Sequence, residues 1–93
     1  MRIALDYDDT ITRDEILWRA FVDLAKGRGH DVAVVTSRFK DAGNEDVILF
    51  ARAVGVPVFF AEHRPKREVF NAEVWIDDMP ETIGRVALIG SEG

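Results

Sequence analysis

Apolar residues follow two rhythms along this chain. Short apolar runs lie at Ile3 to Tyr7, Val32 to Val35, Val56 to Phe60, Val74 to Ile76 and Val86 to Ile89. Between them, apolar residues recur at helical spacing. The runs are rich in β-branched side chains, the pattern of strands covered on both faces. Leu17, Phe21 and Leu24, with Ala20 and Ala25 beside them, predict one apolar helix face over residues 14 to 27. Thr12 and Asp14 can cap that helix, Glu15 suits its first turn, and Gly27 and Gly29 end it. Val47, Phe50, Ala51 and Val54 predict a second helix over residues 44 to 54, with Gly55 just past its end. Pro65 opens a short third helix through Phe70, and Pro80 a turn or two through Ile83. Pro57 points to a third strand near a sheet edge. Strand and helix alternate throughout, so the predicted class is α/β with a mainly parallel sheet and right-handed crossovers. Residues 90–93 read as a loose tail.

Composition narrows the picture. The 93 residues imply a single domain with a thin core. Hydrophobic residues make up 47% and charged residues 31%, a globular balance. A net charge of -5 argues against a basic groove following a nucleic-acid backbone, though not against one terminal phosphate. The absence of cysteine excludes disulfides and thiolate-bound zinc, and His30 and His63 are too few for a histidine-rich metal site. No apolar run approaches the ~20 residues that cross a bilayer. The first strand ends in acid rather than in a secretion signal, so a cytoplasmic location is expected. A thin core with an edge strand is compatible with a homodimer.

Ligands of such sheets sit beyond the C-terminal strand ends. Three of those ends carry Asp6, Thr36 and Asp77. Asp6, Asp8 and Asp9 follow the first strand, and Asp77 and Asp78 the fourth. Carboxylates crowded at buried strand ends repel one another unless a positive group sits among them. Mg²⁺ suits that place because it takes oxygen ligands from one or two carboxylates, waters and phosphate. Asp6 and Asp8 can project the same way, so one can attack phosphorus while the other handles a proton; their plain alternative is a solvated turn. Thr36 can hold a phosphoryl oxygen, Ser37 is placed less well, and Arg38 can grip phosphate bidentately or remain a surface charge. Lys66 opens a helix, where a cation is unfavourable unless it faces carboxylates; Arg67 is not distinguishable from it by sequence. Asp77 can complete a metal shell, and Asp78 can support it or cap the following turn.

Taken together, these groups resemble the haloacid-dehalogenase-like phosphohydrolase superfamily. Ile3-Ala4-Leu5-Asp6-Tyr7-Asp8-Asp9-Thr10-Ile11 is similar to its first motif, Val34-Val35-Thr36 to its second, Lys66 to its lone basic residue, and Val74-Trp75-Ile76-Asp77-Asp78 to its acidic pair. The resemblance implies a three-layer Rossmann-like core with strand order 5-4-1-2-3. It implies a phosphatase with Asp6 as nucleophile and Mg²⁺ ligand, Asp8 as general acid and base that also gives the metal its backbone carbonyl, and Asp77 as a further ligand. Thr36 would bind phosphate, Lys66 would neutralise Asp6 and substrate, and Thr10 and Asp78 would support the site. Thr36-Ser37-Arg38 resembles the version found in polynucleotide-kinase phosphatase domains, which brings Arg38 to the phosphate. Asp9 stands where members commonly place glycine. The chain leaves no room for a cap domain between Thr10 and Val32 or between Thr36 and Lys66. A capless core implies an open site for a phosphorylated small molecule or nucleic-acid end, or a lid supplied by a partner. Two other readings compete: a non-catalytic or regulatory domain that binds a partner, and a receiver-like phosphoacceptor. The receiver needs its phosphorylated Asp on a later strand, whereas Asp6 lies on the first.

Overall fold

The computed structural model describes residues 1–41 and 43–84. Strands β1 (Arg2–Leu5), β2 (Asp31–Thr36), β3 (Val58–Phe60) and β4 (Val74–Ile76) alternate with helices α1 (Glu15–Gly27), α2 (Glu45–Val54) and α3 (Lys66–Val69). Short 3₁₀ turns occupy Ile11–Arg13 and Pro80–Thr82. The strands form one parallel sheet in the order β3-β2-β1-β4. The expected fifth strand at 86–89 and the tail lie outside the described residues.

Alternation along β1 and β2 builds two cores. Ile3, Leu5, Val32 and Val34 face α1 and α2, where they meet Val22, Ala25, Val47, Phe50 and Val54. Ala4, Ala33 and Val35 face the other way, against Phe70 and Ala72 with Phe59 and Trp75 alongside. The Phe59 and Phe70 rings stack at 5.2 Å. Both faces of the central strands are therefore dry, as the unbroken apolar runs require. Phe50 is 2% exposed, and removing such a ring from water contributes about 2–3 kcal/mol.

The ends of α1 match the pattern: the Asp14 side chain accepts from the Leu17 N–H at 3.1 Å. Its buried face differs from expectation. Val22 and Ala25 are buried with Trp18 and Phe21 packed beside them, whereas Leu17 and Leu24 are 52% and 66% exposed. Two neighbouring stripes of this helix are apolar, so periodicity alone could not choose between them. The smaller stripe lets the helix close on the strands, and fully buried Ile11 fixes its entry. In α2 the expected inward residues Val47, Phe50, Ala51 and Val54 are all buried. Gly55 adopts φ 71°, the left-handed turn expected there. Strand β1 stops at Leu5 rather than Tyr7 because the chain turns, with the Thr10 and Thr12 N–H groups donating to the Tyr7 carbonyl. Strand β3 lies at an edge of the described sheet, in accord with Pro57. No described helix is long and apolar enough to cross a membrane.

Candidate functional site

Because β1 and β4 are neighbours, their C-terminal ends bring Asp6 beside Asp77. The Asp6 N–H still donates to the Ile76 carbonyl at 3.0 Å, which fixes its backbone to β4. Lys66, the first residue of α3, reaches in between them. Its ammonium lies 2.7 Å from Asp6 Oδ1 and 2.7 Å from Asp77 Oδ2, and the residue is 2% exposed. A buried cation at a helix start is tolerable because two carboxylates receive it. Arg67 is turned away, with its guanidinium 5.7 Å from the Trp75 ring centre. Thr10 Oγ1 donates to Asp6 Oδ2 at 3.1 Å. Asp77 Oδ1 accepts from the Met79 N–H at 2.9 Å, so the turn bond expected of Asp78 belongs to Asp77.

Asp6, Asp77 and Asp78 each offer a carboxylate oxygen, all within 4.8 Å of one another. Oxygens of an octahedral Mg²⁺ shell lie about 3 to 4 Å apart, so a small contraction would seat one ion. With Lys66 counted against the three acids, an excess of two negative charges remains, which suits a divalent cation. The cluster can coordinate a metal ion. Its side-chain set includes Asp78, where sequence reasoning gave that residue only a supporting part. A cavity of about 110 Å³ opens over these acids and is also lined by Asp8, Asp9, Ser37 and Thr82. A larger depression of about 490 Å³ lies along β3 near Lys40 and Glu68 and holds none of the clustered acids.

Burial pushes the Asp6 carboxyl up to about 6; Lys66 works against that rise, and Asp78 and Asp77 add to it. A proton and a cation therefore compete for Asp6. Magnesium affinity measured by calorimetry is expected to increase about tenfold from roughly pH 5 to pH 7. The folded value exceeds the ordinary 3.8, so this carboxyl's stabilising contribution is fully present below 3.8 and is lost as pH rises through about 6. A flat affinity across that window would show that Asp6 is not a ligand.

At the end of β2, Thr36 is 1% exposed, and its Oγ1 accepts the Arg38 N–H at 3.2 Å, leaving its own O–H to donate. The Asp8 carboxylate stands apart from the acidic trio and receives the Arg38 guanidinium, with contacts of 3.0 and 2.8 Å. The other edge of that guanidinium meets Asp46 at 2.7 and 3.0 Å. Tyr7 packs near Phe50, with the Arg38 guanidinium over its ring. Sequence reasoning passed over Asp46, because an acid in the first turn of a helix already has an ordinary explanation.

Asp9 holds φ 62°, a left-handed conformation for which glycine is the usual residue, and its N–H donates to Thr12 Oγ1 at 2.9 Å. Aspartate tolerates this conformation better than most side chains. Asp9→Gly is expected to leave the melting temperature within about 3 °C and to tighten the binding of inorganic phosphate, used as a probe anion, severalfold at low salt, by removing a negative charge from the cavity mouth. An unchanged phosphate affinity would exclude Asp9 from the approach path of the anion.

The structure thus brings Asp6, Thr10, Lys66, Asp77 and Asp78 into one cluster and joins Asp8 to Arg38 beside it. No protein-family model, curated protein or solved structure matches this chain.

Proposed function

We propose that this protein is a capless, magnesium-dependent phosphomonoesterase of the haloacid-dehalogenase-like superfamily. The carrying observation is Asp6: a buried carboxylate at the end of a central strand, held between Lys66 and Thr10 and flanked by two further acids. The four described strands, in the order β3-β2-β1-β4, support the 4-1-2-3 part of the 5-4-1-2-3 arrangement. Asp6, Asp77 and the Asp8 carbonyl would hold Mg²⁺, with Asp78 beside them. When bound, the ion supplies positive charge that lowers repulsion between Asp6 and the incoming phosphate.

An Asp6 oxygen attacks phosphorus as the ester P–O bond breaks, giving an aspartyl-phosphate. Asp8 gives its proton to the departing alcohol oxygen. It then takes a proton from water, which attacks the phosphorus, releases inorganic phosphate and restores the Asp6 carboxylate. Thr36 O–H and the Lys66 ammonium stabilise charge on the transferred group. A shallow open cavity fits a phosphorylated small molecule or a nucleic-acid end whose remainder stays in solvent. A second reading, a non-catalytic domain that docks a partner, is favoured by exposed Ile16, Leu17 and Leu24 on α1. The separating experiment is a screen of phosphorylated metabolites, nucleotides and end-phosphorylated oligonucleotides with and without magnesium. Phosphate release on any of them that Asp6→Asn abolishes supports the enzyme. Magnesium binding with no release on any substrate favours the docking domain.

A further inference from the structure

We infer that Asp46, in the first turn of α2, is a positioning residue for Asp8 and acts through Arg38. The inference rests on the phosphomonoesterase reading and concerns how that site holds its acid–base group. Arg38 Nε and Nη2 donate to Asp8 Oδ2 and Oδ1 at 3.0 and 2.8 Å. Nη1 and Nη2 donate along the opposite edge to Asp46 Oδ1 and Oδ2 at 2.7 and 3.0 Å. Nη1 also reaches the Gly43 carbonyl at 3.1 Å and Asn44 Oδ1 at 3.4 Å. Every N–H of the guanidinium thus faces a protein acceptor. Paired two-point contacts fix a planar fork in both direction and tilt. The Tyr7 ring, 5.3 Å from the guanidinium carbon, limits movement out of that plane.

Asp46 is the anchored end of this relay. Its Oδ1 accepts the Val47 N–H at 2.9 Å, and α2 is fixed to the sheet by Val47 and Phe50. Arg38 keeps the Asp46 carboxyl below the ordinary carboxylate range, so it stays charged at neutral pH. Asp8 by contrast lies on the turn after β1, with its side chain 51% exposed. A carboxylate on an exposed turn samples many rotamers unless a fixed partner selects one. Arg38 on its own flexible stem is not fixed; Arg38 held by Asp46 is. For Arg38 to grip a phosphoryl oxygen instead, it would have to release one of the two carboxylates.

The test compares Asp46→Ala and Asp46→Asn with wild type on p-nitrophenyl phosphate and on glycerol 2-phosphate. The first ester has a good leaving group and needs little acid assistance; the second needs a proton delivered to an alkoxide. Misplacing the acid should lower kcat/KM on glycerol 2-phosphate by roughly 10²-fold and on p-nitrophenyl phosphate at least about tenfold less. Asp46→Asn, which keeps one acceptor oxygen, should fall between. Equal losses on both esters would overturn the inference, because damage to the fold or to phosphate binding does not depend on the leaving group. A rise in KM alone on both would likewise overturn it and make Arg38 a phosphate ligand. If wild type turns over neither ester, the guanidinium NMR signals of Arg38 decide. Separate, slowly averaging Nη–H signals that collapse in Asp46→Ala support the clamp, and their persistence in that variant overturns it.

Discussion

Asp6→Asn is expected to lower magnesium-dependent phosphate release by roughly 10³-fold or more while leaving the fold in place. Asparagine has nearly the same shape. Its amide oxygen can still accept from Lys66, and its amide nitrogen can face Thr10 Oγ1, the two groups that now hold the carboxylate. What disappears is the nucleophile of the proposed reaction and one negative charge from the acidic trio. Activity should fall at all substrate concentrations, and magnesium should bind more weakly. A phosphorylated Asp6 peptide should be recoverable by mass spectrometry after acid quench of the wild type and absent from the variant. Undiminished release by Asp6→Asn would mean that the chemistry lies elsewhere.

Lys66→Ala is expected to have the largest effect on stability. The ammonium is buried with Asp6 and Asp77, and removing it leaves two carboxylates facing each other out of water. Breaking a buried pair in this way costs about 3–5 kcal/mol, against a total of roughly 5–15 kcal/mol for a small domain. Thermal unfolding followed by circular dichroism should show a drop of about 15 °C or more. Two conditions should restore it. Saturating magnesium places positive charge back among the acids, so the shift on adding it should exceed that of wild type. Acidification toward about pH 5 should also help, because Asp6 already has its carboxyl raised to about 6 and takes up a proton there. Lys66→Met separates lost packing from lost charge: it should be destabilised and respond to magnesium in the same way. A melting temperature indifferent to both substitutions would leave this ion pair without the structural importance given to it.

Much of this arrangement is legible in the sequence because strand ends are. Asp6, Thr36 and Asp77 each terminate a short apolar run, and in a parallel sheet that alone sends them to one edge. Periodicity does not reveal which runs are neighbours, and only the family resemblance implies that order; β1 lying against β4 is what turns two separate acids into one site. The choice of Lys66 over Arg67 also needed three dimensions, since successive helical residues point about 100° apart and only the register of α3 decides which one enters the cluster. The planar fork of Arg38 suits phosphate and carboxylates equally well, so sequence alone does not single out Asp46, eight residues along the chain, as its partner. The rotated face of α1 was hidden for a different reason: two adjoining stripes were both apolar.

The central ion pair joins residues separated by 60 positions. During synthesis, β1 emerges with its aspartates long before Lys66 exists to meet them. The early chain can pair β1 with β2 and dock α1 and α2 through mostly nearby contacts, but its acidic strand end stays uncompensated until α3 and β4 arrive. Long loop closures of this kind are made late in folding. Among the described elements the cluster therefore closes only when α3 and β4 join β1, and a chain interrupted before Lys66 keeps Asp6 without the ammonium that receives it.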